Sequence, residues 1–371
     1  MAGRLIRCVV KQVLIITAHR KDRAPNQRFR FEQYLDFLKL NGFNCHISYL
    51  ISEEDDKILY QPGKYFFKAM IGLKATLTRL NDVIHRNKYD LIFVCREGFL
   101  TGTTFFEELL HRAKAPMIYD FDDAIWHFDV SDANKSFGWM KNPGKTARLI
   151  SMSDLIFAGN QYLMDYAKHH NDNVVIIPTT IDTDEYQGVP FQEKEVLCIG
   201  WSGSITTIRH FEMAIPVLKI LKEKYGERIC FKVIGDQNYF NADLDIKGIA
   251  WKKETELAEL AKIDIGIMPL PDDEWAKGKC GLKGLQYMAM SIATVMSPVG
   301  VNTEIIEDGV NGMLASTPDE WVRKISLLIE NSDLRQKCAE NGRKTVEKSY
   351  SVKALQPIYL QYFMSLTEPK K

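Results

Sequence analysis

Three glycines with two lysines set between them mark the run of this chain with the clearest chemistry. In Lys277-Gly278-Lys279-Cys280-Gly281-Leu282-Lys283-Gly284-Leu285-Gln286-Tyr287-Met288-Ala289, glycine recurs at 278, 281 and 284, with Lys279 and Lys283 in between. Glycine lets a backbone approach a ligand closely. A helix N-terminus carries partial positive charge, and lysines four apart share one face of a helical turn. That set suits a diphosphate. Trp201-Ser202-Gly203-Ser204-Ile205-Thr206-Thr207-Ile208-Arg209 is a second anion-binding candidate. Its Gly/Ser loop offers backbone N–H groups, Ser202 and Ser204 add hydroxyls, and Arg209 adds charge. Ser and Thr also favour plain helix caps. The loop is neither G-x-G-x-x-G nor a P-loop, which speaks against a dinucleotide or ATPase site.

Acids gather elsewhere, in Asp120-Phe121-Asp122-Asp123-Ala124-Ile125-Trp126-His127. Asp122, Asp123 and His127 are candidates to orient or deprotonate a substrate hydroxyl, with turn capping by the aspartates as the plain alternative. Asp120-Phe121-Asp122 spells D-x-D, a metal pattern, but so do Asp182-Thr183-Asp184 and Asp243-Leu244-Asp245. So short a pattern assigns no metal. Arg96 and Glu97 follow an apolar strand and either meet a substrate or pair with each other. Between His19 and Arg30 the chain holds Arg20, Lys21, Arg23, Arg28 and Arg30 and no glycine, which suits an anionic substrate. Phe66, Phe67, Met70, Ile71 and Leu73 alternate with Lys64, Lys68 and Lys74. Such a helix either packs on a core or lies on a membrane interface.

These residues need a frame that aims strand ends at a ligand. Apolar strands at Val13–Thr17, Asn44–Leu50, Leu91–Cys95, Met117–Phe121 and Leu155–Ala158 alternate with helical patterns such as Lys64–His85. The alternation restarts at Val196–Gly200 and continues through Cys230–Ile234, Ile263–Met268 and Thr294–Ser297. This predicts two doubly wound α/β domains, residues 1–185 and 186–350, with a helix over 351–371 returning towards the first. Ligands of such sheets sit at the carboxyl ends of strands, where every candidate above lies.

The run Lys279–Ala289 resembles the donor-binding segment of the retaining glycosyltransferases of family 4. So do Ser297-Pro298-Val299-Gly300-Val301-Asn302-Thr303-Glu304-Ile305-Ile306 and Asp308-Gly309-Val310-Asn311-Gly312. Ile177-Pro178-Thr179-Thr180-Ile181-Asp182 is similar to the family's crossing between domains, and the resemblance is clear over residues 153–350. It implies a GT-B fold, two Rossmann-like domains facing each other across a cleft. It also implies a nucleotide-diphosphate sugar bound by the second domain, an acceptor bound by the first, transfer with retention, and no bound metal. On this reading Ser202, Gly203, Ser204, Arg209, Lys279, Lys283, Gln286 and Glu304 hold the donor. Arg28, Arg30, Arg96 and Glu97 hold a saccharide or lipid-linked acceptor, and Asp122, Asp123 and His127 serve the reaction. Gly278 and Gln286 stand where the family carries its two glutamates; Gln286 can still hydrogen-bond a hydroxyl. A nucleotide-sugar epimerase of the same fold and a non-catalytic sugar-nucleotide-binding subunit stay open as alternatives.

Bulk properties agree with two globular domains. At 371 residues the chain exceeds what one core usually supports. Its formal net charge of zero argues against a nucleic-acid partner. Residues 1–80 nonetheless hold fourteen Lys/Arg against seven Asp/Glu, a surface that suits an anionic membrane. Seven scattered cysteines without a C-x-x-C pair read as reduced thiols, neither a disulfide framework nor a zinc site. Val13–Ala18 is too short to span a bilayer. The expectation is a cytoplasmic enzyme, needing no cofactor beyond its co-substrate, in peripheral contact with the inner face of a membrane and serving polysaccharide or glycolipid assembly.

Overall fold

Strand and helix alternate through two parallel sheets in the computed structural model, which describes residues 10–59, 61, 63–127 and 142–368. The first sheet contains β1 (Lys11–Ile16), β2 (Phe43–Ser48), β3 (Leu91–Cys95), β4 (Met117–Phe121), β5 (Leu155–Ala158) and β6 (Val174–Ile176). They lie in the order β2-β1-β3-β4-β5-β6, every pair parallel. β3, β4 and β5 are buried along their whole length. Helices cover both faces of such a sheet, so its central strands read as unbroken apolar runs rather than alternating ones.

The second sheet uses β7 (Leu197–Ser202) and β8 (Ile229–Gly235), after which β9 (Phe240–Asn241) and β10 (Ile246–Lys247) form a separate antiparallel pair. β11 (Ile249–Ala250), β12 (Ile265–Met268), β13 (Ala293–Met296) and β14 (Met313–Leu314) complete it in the order β11-β8-β7-β12-β13-β14. Strand order reverses between β1 and β3 in one sheet and between β7 and β12 in the other. Such reversals open a crevice beyond the strand ends. The helix Pro318–Glu330 illustrates how the sequence sets its elements. Thr317 and Glu320 form a capping box at its start, with Pro318 at its first position. Trp321, Ile325, Leu328 and Ile329 then fall on one face and enter the core of the second sheet.

The chain divides into two compact units, one of residues 1–178 and 356–371, the other of residues 179–355. The junction precedes the expected 186 because residues 179–189 bond with the second unit. Ile181 N donates to Tyr350 O at 2.8 Å, Val189 N to Met290 O at 2.8 Å, and Arg343 Nη2 to Thr183 O at 3.0 Å. The last helix, Val352–Thr367, carries Tyr359, which stacks on Tyr34 at 4.3 Å, and Phe363, edge-on to Phe43 at 5.6 Å. Among the described residues no helix is long and apolar enough to cross a membrane. The six described cysteines are free thiols; Cys8 lies outside the described residues.

Buried charges fix the carboxyl edge of the first sheet. Arg79, on the helix Tyr65–His85, is fully buried. Its Nη2 donates to Thr17 O at 2.7 Å, Nη1 to Ser48 Oγ and Asp82 Oδ2 at 2.8 Å each, and Nε to Gly98 O. One guanidinium thereby ties the ends of β1, β2 and β3. Lys145 Nζ adds bonds to Phe99 O at 3.0 Å and Thr101 O at 2.9 Å, and pairs with buried Glu107 at 3.2 Å. Unpaired buried charges are costly, so this mutual pairing holds the loop after β3 in place.

Candidate active site

In the first unit, the loops after β1, β3 and β4 carry the candidate groups. The loop after β1 is organised by Gln27, which is fully buried. Its Oε1 accepts from Thr17 Oγ1 at 2.6 Å and from His19 N at 3.1 Å, and its Nε2 donates to His19 O at 2.8 Å and Glu32 Oε1 at 3.1 Å. Glu32 in turn accepts from Asp22 N at 2.8 Å, holding Asp22 at a left-handed φ of 67°. Burial raises the Glu32 carboxyl above its usual range, against the two hydrogen bonds it accepts. Gln27 and Glu32 are positioning residues that no sequence pattern flagged. Arg20 and Arg23 both pair with Asp56, at 3.0 and 2.5 Å. His19 sits among these charges, its pKa lowered to about 4 by burial and then by Arg23.

Arg30 differs from its expected role as an acceptor contact. It is 1% exposed, its Nε lies 3.2 Å from both oxygens of Asp120, and its Nη groups reach Asp120 and Ile177 O. The arginine therefore neutralises a buried carboxylate at the end of β4, inside the unit. Arg28 is also buried, its guanidinium 4.9 Å from the Phe29 ring centre. Arg96 does not pair with Glu97. Its Nε donates to Asp122 Oδ1 at 2.7 Å and its Nη2 to Asp123 Oδ2. Burial alone would lower the Arg96 pKa, but the two carboxylates overcome that and raise it. The structure thus joins Arg96, Asp122 and Asp123 in one charged cluster, with Glu97 half-buried beside it. Asp120 and Asp122 of the D-x-D pattern each face an arginine. His127 meets a partner on another element: Nε2 lies 3.3 Å from Tyr162 Oη, while Trp126 stacks on Tyr166 at 3.6 Å.

In the second unit the donor candidates lie after β7 and β12. The backbone N–H groups of Ser202–Ser204 were expected to face an anion, but each has a partner within the protein. Ser202 N donates to Tyr287 Oη at 2.7 Å, Gly203 N to Ile234 O at 2.8 Å, and Ser204 N to Thr207 Oγ1 at 3.0 Å. Ser202 is buried, whereas Ser204 and Arg209 are exposed. The three amides of this loop are therefore committed within the protein, which leaves its side chains as the candidates for an anion. Lys279 and Lys283 do not share a helical face, because the helix begins only at Leu282, after Gly281 at φ 69°. An added Cβ at Gly281 would collide with Ile305 Cδ1. Lys279 lies over the Trp275 ring at 4.8 Å and Lys283 over Trp201 at 5.0 Å.

The cations nonetheless converge. His210 is buried, and its pKa is lowered to about 4 by that burial and then by Lys283, Arg209 and Lys279. Three cations from two segments, remote in sequence, thus act on one imidazole at the carboxyl edge of the second sheet, against the opposing carboxylate of Asp273. Sequence reasoning missed His210; its place beside Arg209 was the available signal. Gln286 does not fit a ribose contact. It is 4% exposed, and its Nε2 donates to Tyr186 Oη and Glu256 Oε1 at 3.0 Å each. Tyr186 Oη and Trp251 Nε1 donate to the same carboxylate at 2.9 and 3.0 Å. The amide is thus part of a buried polar network. Glu304 is exposed on the short helix Asn302–Ile305. Among the described residues, no three His, Cys, Asp or Glu side chains are grouped so as to hold a metal.

Comparison with known proteins bears on the fold and on the class of activity. Residues 194–331 match the family described as Glycosyl transferases group 1. An uncharacterized glycosyltransferase of Methanocaldococcus jannaschii is 28% identical over 315 residues, 76% of this chain and 77% of its own. Among solved structures, the Anabaena protein HepE in complex with UDP and glucose superposes with a TM-score of 0.67 at 14% identity, covering 96% of this chain and 100% of its own. Sucrose-phosphate synthase of Thermosynechococcus elongatus gives 0.69 at 10% identity, covering 96% and 99%. The structural likenesses show the fold, two parallel-sheet α/β domains of the GT-B type. The family match and the archaeal relative support glycosyltransferase as the class.

Proposed function

We propose that the chain transfers a sugar from a nucleotide-diphosphate donor to an acceptor hydroxyl with retention, in the assembly of a cell-surface polysaccharide or glycolipid. The observation that carries this reading is the locus of Arg209, Lys279 and Lys283 around His210. Negative charge grows on the donor diphosphate as the glycosidic bond breaks, and fixed cations stabilise that charge. The bond to the leaving phosphate oxygen breaks as the acceptor oxygen bonds the same face of the sugar, and that phosphate oxygen takes the acceptor proton. The Arg96–Asp122–Asp123 cluster orients the acceptor. UDP is the first nucleotide to test, because the Anabaena protein is solved with it. Neither a resident cofactor nor a metal is required, and the acceptor is a saccharide or lipid-linked one met at the inner face of a membrane.

The test is transfer from radiolabelled nucleotide-sugars by the wild type and Lys283→Ala. Loss of one stabilising donor is expected to lower kcat by about 10- to 1000-fold, and EDTA is expected to leave the wild-type rate unchanged. An unchanged rate in Lys283→Ala would overturn the assignment. Donor conversion without acceptor would point to an epimerase, and binding without turnover to a non-catalytic subunit.

A further inference from the structure

Two cysteines stand opposite each other on neighbouring strands of the second sheet. In the parallel register of β7 with β8, Cys198 is the direct partner of Cys230. Side chains so paired lie on the same face of the sheet. Adjacent strands run about 4.7–4.9 Å apart, within the Cα separation of about 4.4–6.8 Å that a disulfide bridges. Each cysteine is the second residue of its strand, whereas Arg209 and His210 follow the carboxyl end of β7. The other face of these strands is core: Leu197, Ile199 and Trp201 pack with Ile229 and Val233. Around the cysteines the surroundings are polar. Asp264 accepts from Cys198 N at 2.8 Å and from Lys194 Nζ at 2.7 Å, and Lys232 pairs with Glu259 at 2.5 Å.

The two thiols are chemically unequal. Among the described cysteines Cys230 alone is exposed, while Cys198 is buried. The hydrogen bond from Cys198 holds the Cys230 thiol below its ordinary value, with Lys232 and Lys194 assisting and burial and Asp264 opposing. The same bond, with burial, raises the Cys198 thiol. A thiolate is the reactive form of cysteine, and an accessible one beside a second cysteine is the arrangement of redox-responsive pairs. The set does not suit a metal. Both oxygens of Asp264 already accept hydrogen bonds, and among the described residues no three His, Cys, Asp or Glu side chains are grouped to hold one. We propose that Cys230 and Cys198 are a peroxide-reactive dithiol. The Cys230 thiolate attacks one oxygen of hydrogen peroxide, the O–O bond breaks, and hydroxide leaves, giving a sulfenic acid. The Cys198 sulfur then attacks the Cys230 sulfur as the S–O bond breaks. The Cys198 proton leaves with that hydroxyl as water, and an S–S bond joins β7 to β8. Peroxide gains the two electrons that the thiols lose. The ring so closed contains residues 199–229, the Trp201–Arg209 loop among them. A dithiol reductant reopens it by thiol–disulfide exchange. Nothing in this step depends on sugar transfer.

The experiment treats the reduced full chain with hydrogen peroxide and maps its peptides by mass. The wild type is expected to give a cross-linked pair joining positions 198 and 230, lighter by two hydrogens than the separate peptides and released by dithiothreitol. Before oxidation, iodoacetamide at pH 7 should alkylate Cys230 about tenfold or more faster than any other described cysteine. In Cys198→Ser the sulfenic acid has no thiol to meet, and dimedone should trap it at Cys230. In Cys230→Ser, Cys198 should stay reduced. A wild type without the 198–230 cross-link, faster alkylation at another described cysteine, or a Cys198→Ser chain without a dimedone adduct would each overturn the proposal. So would oxidation of Cys198 in Cys230→Ser, or a dimer linked through Cys230 of two chains in place of the internal bond.

Discussion

Gln286 donates to Tyr186 and Glu256, and its neighbourhood sets what an acid there would do. In a Gln286→Glu variant the new carboxylate would face that of Glu256 inside the protein. Urea unfolding should show a loss of about 1–3 kcal/mol, and adding Glu256→Gln should restore part of it; a more stable single variant would refute the account. His210 gives a second test. Its pKa is about 4 in the folded chain against 6.5 when unperturbed. Above 6.5 it is neutral folded or unfolded and contributes no pH dependence. As pH falls from 6.5 to about 4, the unfolded chain binds a proton that the folded chain refuses, so stability is lost. His210→Gln should therefore lose less stability than the wild type over that window. Arg209, Lys279 and Lys283 stood out in the sequence as cations in or next to glycine-bearing loops, and the structure adds that all three act on His210. Gln286, Arg30 and the Ser202 and Gly203 amides were misread because their partners lie far away in sequence: Asp120 is 90 residues from Arg30, Tyr186 is 100 from Gln286, and Tyr287 is 85 from Ser202.

Arg79 shows how one helix fixes the ends of three strands. Arg79→Ala would remove its bonds to Thr17, Ser48 and Gly98 and leave Asp82 buried without its cation. The expected cost is about 3–5 kcal/mol by chemical denaturation, with exposed Lys88→Ala nearly neutral as a control. Elements with a long period were readable: the central strands as apolar runs, and Pro318–Glu330 from its cap and stripe. The hairpin of β9 and β10 was not, since two-residue strands carry no period. The helix Tyr65–His85 was legible as amphipathic, but not the direction of its faces. A buried Arg79 opposite an exposed Phe66 inverts the usual pattern, and only the neighbouring strand-end carbonyls explain why the arginine points inward.

Donor binding is a property of the folded whole, and ligand linkage can read it. A nucleotide-diphosphate sugar at a hundred times its Kd should stabilise the protein by about 2.7 kcal/mol, seen as a raised Tm. A Lys279→Ala, Lys283→Ala variant should show little of that rise; an equal shift would remove the lysines from the donor site. The two-unit plan was legible from the restart of strand–helix alternation, while the junction at 178 depended on hydrogen bonds that carry no local signature. The final helix gives the first unit a component from the far end of the chain. A ribosome makes residues 179–355 before Tyr359 and Phe363 exist, so the aromatic core around Tyr34 and Phe43 stays open through the synthesis of the whole second unit. Domains usually complete in the order of their synthesis; here the half begun first waits for a segment made after the other half.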